Sequence, residues 1–174
     1  MKNPIEAAVA PLRAASIARA VATVKAHVEH IIATHPVGFA FSEKYPKPDS
    51  WTTGRKAYLS RENERRFLKS VLKVEATNHT FRAPEFVTGT NEAGIASLIE
   101  QTERDAAASF DAYVAKLTGK VGECDSASVV GALWEGSILT VTKGEKTERW
   151  TTKQIINVSC LGKLFNQWPT RLAK

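Results

Sequence analysis

Cysteine is nearly missing from this chain. Cys124 and Cys160 are the two it has, no CxxC pair occurs, and neither has a histidine beside it in sequence. A disulfide framework and a four-cysteine zinc site are therefore excluded. Long apolar runs are missing too: nothing approaches the roughly eighteen residues that a membrane span requires. The Ala-rich opening "MKNPIEAAVAPLRAASIARA" is broken by Arg13 and Arg19 and holds no unbroken apolar stretch of signal-peptide type. These absences lead us to expect a cytoplasmic protein with no membrane partner. The sequons Asn78-His79-Thr80 and Asn157-Val158-Ser159 are then chance matches, because glycosylation needs a secretory route.

Recognisable reaction motifs are equally sparse. Neither GxxxxGK[ST] nor GxGxxG occurs; Gly89 to Gly94 comes nearest, with Ile95 where a phosphate-binding lysine would be needed. His27-Val28-Glu29 opens like a zinc-deaminase signature but lacks the Pro-Cys-x-x-Cys partner. Ser70-Val71-Leu72-Lys73 fits SxxK without the SDN and KTG elements that accompany it in penicillin-recognising enzymes. No GxSxG elbow exists. His27, His30 and His35 lie along one helical stretch with no Asp or Cys at a useful spacing, so a solvated flank accounts for them better than a metal site. Glu100 and Glu103 sit on adjacent turns of an acidic segment, where carboxylates normally face water. We therefore expect no metal, no cofactor and no catalytic residues. An enzyme whose site is assembled from distant residues is the third-ranked function.

What is present is a foldable composition. The 174 residues are 43% hydrophobic and 24% charged, enough to bury a self-sufficient core. Asn3 and Pro4 open a short helical lead-in, Pro11 restarts it, and Ile17, Val21, Val24, Val28, Ile31 and Ile32 draw one apolar stripe over residues 12–34. The stretch from Pro36 to Ser50 has three prolines and no period, so it reads as a connection, packed down by Phe39, Phe41 and Tyr45. A basic helix follows from about Arg55 to Lys73, with Thr52 or Thr53 as its cap. Residues 74–90 read as irregular.

The clearest helix runs from Asn91 to Leu117, with Ile95, Leu98, Ile99, Phe110, Tyr113, Val114 and Leu117 on one face and Gly119 as its C-terminal glycine. Beyond Gly122 the pattern changes to strands: "SVVGALW", "SILTVTK" and "TERWTTKQIINVS" are rich in β-branched residues. Residues 143–146 make a hairpin loop that sets Trp150 across from Leu139 and Val141. The expected fold is α+β: N-terminal helices and one long central amphipathic helix packed on a small C-terminal antiparallel sheet. It divides into an N-terminal helical segment, 1–35, and an α+β domain, 36–174, or forms one domain over 1–174.

The strings "SFDAYVAKLTGKVGE", "SILTVTK", "ERWTTKQIINVS" and "GKLFNQWPTR", in this order, resemble the C-terminal half of an uncharacterised family of small proteins encoded by bacteriophages and prophages. The likeness covers roughly Phe110 to Arg171. It implies a phage setting inside a bacterial host cell and carries no reaction with it.

Charge supplies the remaining signal. The net +6 is unevenly placed. Residues 54–73 hold seven cations (Arg55, Lys56, Arg61, Arg65, Arg66, Lys69, Lys73) against two acids, a net +5. Residues 141–174 hold seven more (Lys143, Lys146, Arg149, Lys153, Lys163, Arg171, Lys174) against two, again +5, which leaves −4 for the other 120 residues. Cations gathered this way suit a polyanion, whose counterions they displace. Trp150 and Trp168 lie among them and read either as core or as platforms on which bases stack. The expected binding residues are Arg55, Lys56, Arg61, Arg65, Arg66, Lys69, Lys143, Arg149, Lys153, Lys163 and Arg171. The first-ranked function is a non-enzymatic phage accessory protein that binds nucleic acid through the two blocks. The alternative is a phage-encoded inhibitor, an anti-defence protein docking on a host protein or antiviral complex. Trp150, Ile155, Ile156 and Phe165 would close the core while Arg149, Lys153, Lys163 and Arg171 face outward.

Overall fold

The computed structural model describes residues 3–49, 54–80, 82–132 and 137–151, and the side chains of 55–57 lie outside the described set. The order of elements is α1 (Pro4–Val9), α2 (Pro11–Thr34), α3 (Phe41–Lys44), α4 (Arg55–Val71), β1 (Leu72–Ala76), β2 (Glu85–Thr90), α5 (Glu92–Val121), β3 (Ser126–Val130), β4 (Ile138–Lys143) and β5 (Lys146–Thr151). The fold is α+β, with a long central helix and a C-terminal antiparallel sheet. No helix among the described residues is long and apolar enough to cross a membrane. The described residues fall into two compact units, those within Met1–Ala22 and Gln101–Lys174 and those within Thr23–Glu100.

In the first unit Asn3 caps α1 by accepting from the Ile5 amide at 3.0 Å, and Pro4 sits in the first turn, where its missing N–H costs nothing. Ile5 and Val9, one turn apart, are buried with Phe110, Leu117 and Val121 of α5 and with Leu139 and Val141 of β4. Full burial of such a side chain is worth about 1.5–3 kcal/mol, so this cluster organises the unit. Arg13 and Asp111 add a two-pronged ion pair, Nε to Oδ1 at 2.9 Å and a terminal nitrogen to Oδ2 at 3.0 Å.

Helix α5 does not stop at Gly119, as the expected C-terminal glycine would have it. It runs to Val121, four residues beyond the expected end at Leu117, because Val121 adds a buried residue to its apolar stripe, and the terminating residue is Gly122, at φ +73° with its amide on the Thr118 carbonyl.

Strands β3, β4 and β5 pair antiparallel in that order. The β4–β5 turn has Gly144 at φ +57° as its first central residue, the position that favours glycine in a two-residue hairpin. Leu139 lies opposite Trp150, as the alternation predicts. The inward face carries Ala127, Val129, Leu139, Val141 and Trp150, all in or against the core. On the outward face the register stacks three cross-strand rows: Ser126–Thr142–Thr147, Ser128–Thr140–Arg149 and Val130–Ile138–Thr151.

In the second unit Val24, Val28 and Ile31 of α2 are buried, as are Phe41, Leu68, Val71, Leu72 and Val87. Two expectations change here. The 36–50 connection holds a helical turn, α3, because Phe41 is drawn fully into the core. The stretch read as irregular after Lys73 is an antiparallel pair, β1 with β2, in which Leu72 and Val87 are the buried residues. A shift of register between Lys73 and Val74 leaves Thr88 as an extra residue, and this bulge hides the two-residue period from a sequence reading. Helix α4 gives way to strand at Leu72, and its N-cap is Gly54, which offers no side-chain cap; Thr52 and Thr53 lie outside the described residues.

Asn91 fastens the start of α5 to the end of α4. Its Oδ1 accepts from the Gly94 amide at 3.0 Å, its Nδ2 donates to the Lys69 carbonyl at 3.2 Å, and its own amide donates to the Val71 carbonyl at 2.8 Å. Gly94 is required at this junction: a Cβ there would lie 2.1 Å from the Ser70 carbonyl oxygen. Gly94 therefore serves a close helix approach, whereas a Cβ at Gly89 would meet nothing within 4 Å.

Candidate binding surface

The cations of residues 54–73 divide by what they touch. Arg65 and Lys69, one turn apart on α4, turn toward β2 and hold the same carboxylate. Arg65 pairs with Glu85 Oε2 and also donates to the Tyr45 carbonyl, while Lys69 reaches Glu85 Oε1 at 3.0 Å. Both cations lie over the ring of Phe41, at 5.2 and 5.7 Å from its centroid, an arrangement that adds cation–π attraction. The Glu85 amide in turn donates to Ser42 Oγ at 3.0 Å. Burial would raise the Glu85 carboxyl, but hydrogen bonds and charge from Lys69 and Arg65 outweigh it and hold the group below the ordinary carboxylate range. This cluster ties α4, β2 and the 36–49 segment together.

Arg66 is different. It meets Glu62 at 2.9 Å within α4 yet remains 75% exposed, and exposed pairs of this kind hold their charges loosely. Arg61 is exposed and makes no ion pair among the described residues. Lys73 is exposed and pairs with Glu75 at 3.3 Å. Arg55 and Lys56 begin α4, with side chains outside the described set.

In the other block, Lys143 is drawn inward: its Nζ donates to the Val121 carbonyl and lies 3.5 Å from Glu148. Arg149 projects from the outward sheet face and is exposed, as is Lys146 beside the turn. Trp150 is half-buried against the core cluster, its indole N–H donating to Glu148 at 3.3 Å, so its ring faces the protein and offers no open platform for a base. Lys153, Lys163, Arg171 and Lys174, with Trp168, Ile155, Ile156 and Phe165, lie outside the described residues.

Two features were not expected from sequence. His35, read as part of a solvated flank, is 5% exposed and anchors the end of α2. Its Nδ1 donates to the Ile31 carbonyl at 2.8 Å, which leaves Nε2 to accept from the Tyr45 hydroxyl at 2.9 Å. The ring packs edge-on against Phe39 at 4.8 Å. Burial, the leading cause, pushes its pKa below the ordinary histidine value. The aromatic spacing of Phe39, Phe41 and Tyr45 was the available signal. The second feature is an open cleft of about 380 Å³ in the first unit, lined by Asn3, Pro4, Glu123, Cys124, Asp125, Lys143 and Gly144. No group of three His, Cys, Asp or Glu side chains among the described residues is placed to hold a metal.

No protein-family model matches this chain, and neither a curated protein nor a solved structure does.

Proposed function

We propose that this protein is a non-enzymatic accessory protein of bacteriophage type that binds nucleic acid inside the host bacterial cell, using the exposed cations of residues 54–73 and 141–174. The observation that carries the reading is the placement of charge: +5 in each block against −4 in the other 120 residues. Lys and Arg neutralise phosphates and release condensed counterions, which yields affinity with little sequence preference and a steep dependence on salt. Exposure decides which cations this reading uses. Arg65, Lys69 and Lys143 are engaged with Glu85, Glu148 and backbone carbonyls, whereas Arg61, Arg66, Lys146 and Arg149 present their charge to solvent. The resemblance of residues 110–171 to a phage and prophage family supports the setting.

The test is titration of labelled DNA and RNA with the full chain at low salt, where electrostatic affinity is greatest. Binding that weakens linearly in log salt is expected, and no detectable complex with either polymer overturns the reading. Capture from a bacterial lysate with and without nuclease gives a second arm. Loss of associated material on digestion is expected; a stoichiometric host protein that survives digestion would replace this function with that of a protein-directed inhibitor.

A further inference from the structure

We infer that the outward face of the β3–β4–β5 sheet is the part of the first unit that contacts the phosphodiester backbone. This inference rests on the nucleic-acid reading and adds to it a surface that the charge count alone does not single out. Two adjacent cross-strand rows, Ser126–Thr142–Thr147 and Ser128–Thr140–Arg149, place five hydroxyls and one guanidinium side by side. Neither row contains a carboxylate, although the chain has eighteen acids. Glu148 points to the opposite face, and Asp125 and Glu145 belong to the turns. The outer strands of the face are open: Ser126, Ser128, Thr147 and Arg149 are all exposed.

The chemistry of the surface selects its partner. Hydroxyls donate to phosphate oxygens without discriminating bases, and an arginine fork matches phosphate geometry. No acid stands within these two rows to repel a polyanion, and Arg149 places an exposed guanidinium among the hydroxyls. The face presents no aromatic ring in these rows, and Trp150 is turned inward. Contact through the backbone is therefore expected, not base stacking, so affinity should be nearly independent of base composition.

The experiment is fluorescence anisotropy with the full chain, using a labelled oligothymidylate and a labelled mixed-sequence DNA at salt concentrations between about 50 and about 200 mM. Three variants are compared: Arg149→Ala, Ser128→Glu and, as a charge-matched control, Lys120→Ala at an exposed site in the last turn of α5. Circular dichroism confirms that each is folded. Arg149→Ala should flatten the log–log salt slope by about 1. Ser128→Glu should weaken both probes severalfold, and Lys120→Ala should leave the slope near that of the unaltered chain. If the unaltered chain binds but Arg149→Ala and Ser128→Glu behave like Lys120→Ala, the sheet face is overturned while the nucleic-acid reading stands on other cations. If the unaltered chain binds neither probe, both fall together.

Discussion

Arg65 on α4 and Glu85 on β2 form an ion pair in which the side chains are only 12% and 23% exposed. A pair this far from water contributes by geometry: the guanidinium also holds the Tyr45 carbonyl, so one side chain joins three segments of the second unit. Replacing Glu85 with Gln would leave the largely buried Arg65 guanidinium without its counter-charge. We expect a loss of about 2 kcal/mol, short of the figure for a fully buried pair because some water still reaches Lys69. Urea unfolding at neutral pH measures it. Since the Glu85 carboxyl is held below its ordinary value, its contribution is present above the unfolded carboxylate pKa and fades as pH falls through the folded one. The gap between the native protein and Glu85→Gln should therefore narrow on strong acidification.

His35 predicts a second pH dependence at milder acidity. Its folded pKa is lowered, chiefly by burial, so the unfolded chain takes up the proton first. The stability tied to the neutral ring is complete above the ordinary histidine value of about 6.5 and is lost as pH falls through the folded value. His27, also lowered first by burial, acts in the same direction. Chemical denaturation at steps between neutral and mildly acid pH should show stability falling, and His35→Gln should reduce that slope without abolishing it.

Gly94→Ala should destabilise the junction of α4 and α5. The added methyl would meet the Ser70 carbonyl oxygen, which is backbone and cannot swing aside. A cost of about 1–3 kcal/mol is expected for such overpacking. Thermal unfolding checks it, and Gly89→Ala, where a Cβ would meet nothing within 4 Å, is the contrast.

Leu139→Ala should cost about 2–5 kcal/mol, because the side chain is fully buried among Ile5, Phe110 and Leu117 and its removal leaves a cavity. Trp150 lies opposite it across β4–β5, so tryptophan emission should shift as the inner face loosens, alongside the fall in unfolding midpoint.

Periodicity and punctuation were sufficient for much of this fold. Pro4 and Pro11 set the starts of α1 and α2, the spacing of Phe110, Tyr113 and Leu117 set the buried face of α5, and alternation around Leu139 with Gly144 set the β4–β5 hairpin. Such features are local, so a chain read in order displays them. The β1–β2 pair was not legible, because its bulge at Thr88 breaks the two-residue period, and α3 is shorter than any helical repeat that a pattern can show.

The charge count belongs to the sequence, but its use belongs to the tertiary structure. Arg61, Arg65, Arg66 and Lys69 look alike in a line of text. Whether a cation faces water depends on which acid the fold brings beside it, and Glu85 reaches Arg65 and Lys69 only because β2 folds back on β1 next to α4. His35 likewise became a buried anchor once Tyr45 closed over the end of α2. Composition and order decided which elements form, since those depend on neighbours a few residues away. Three-dimensional packing decided which polar groups were enclosed, since desolvation and pairing depend on neighbours that no local pattern records.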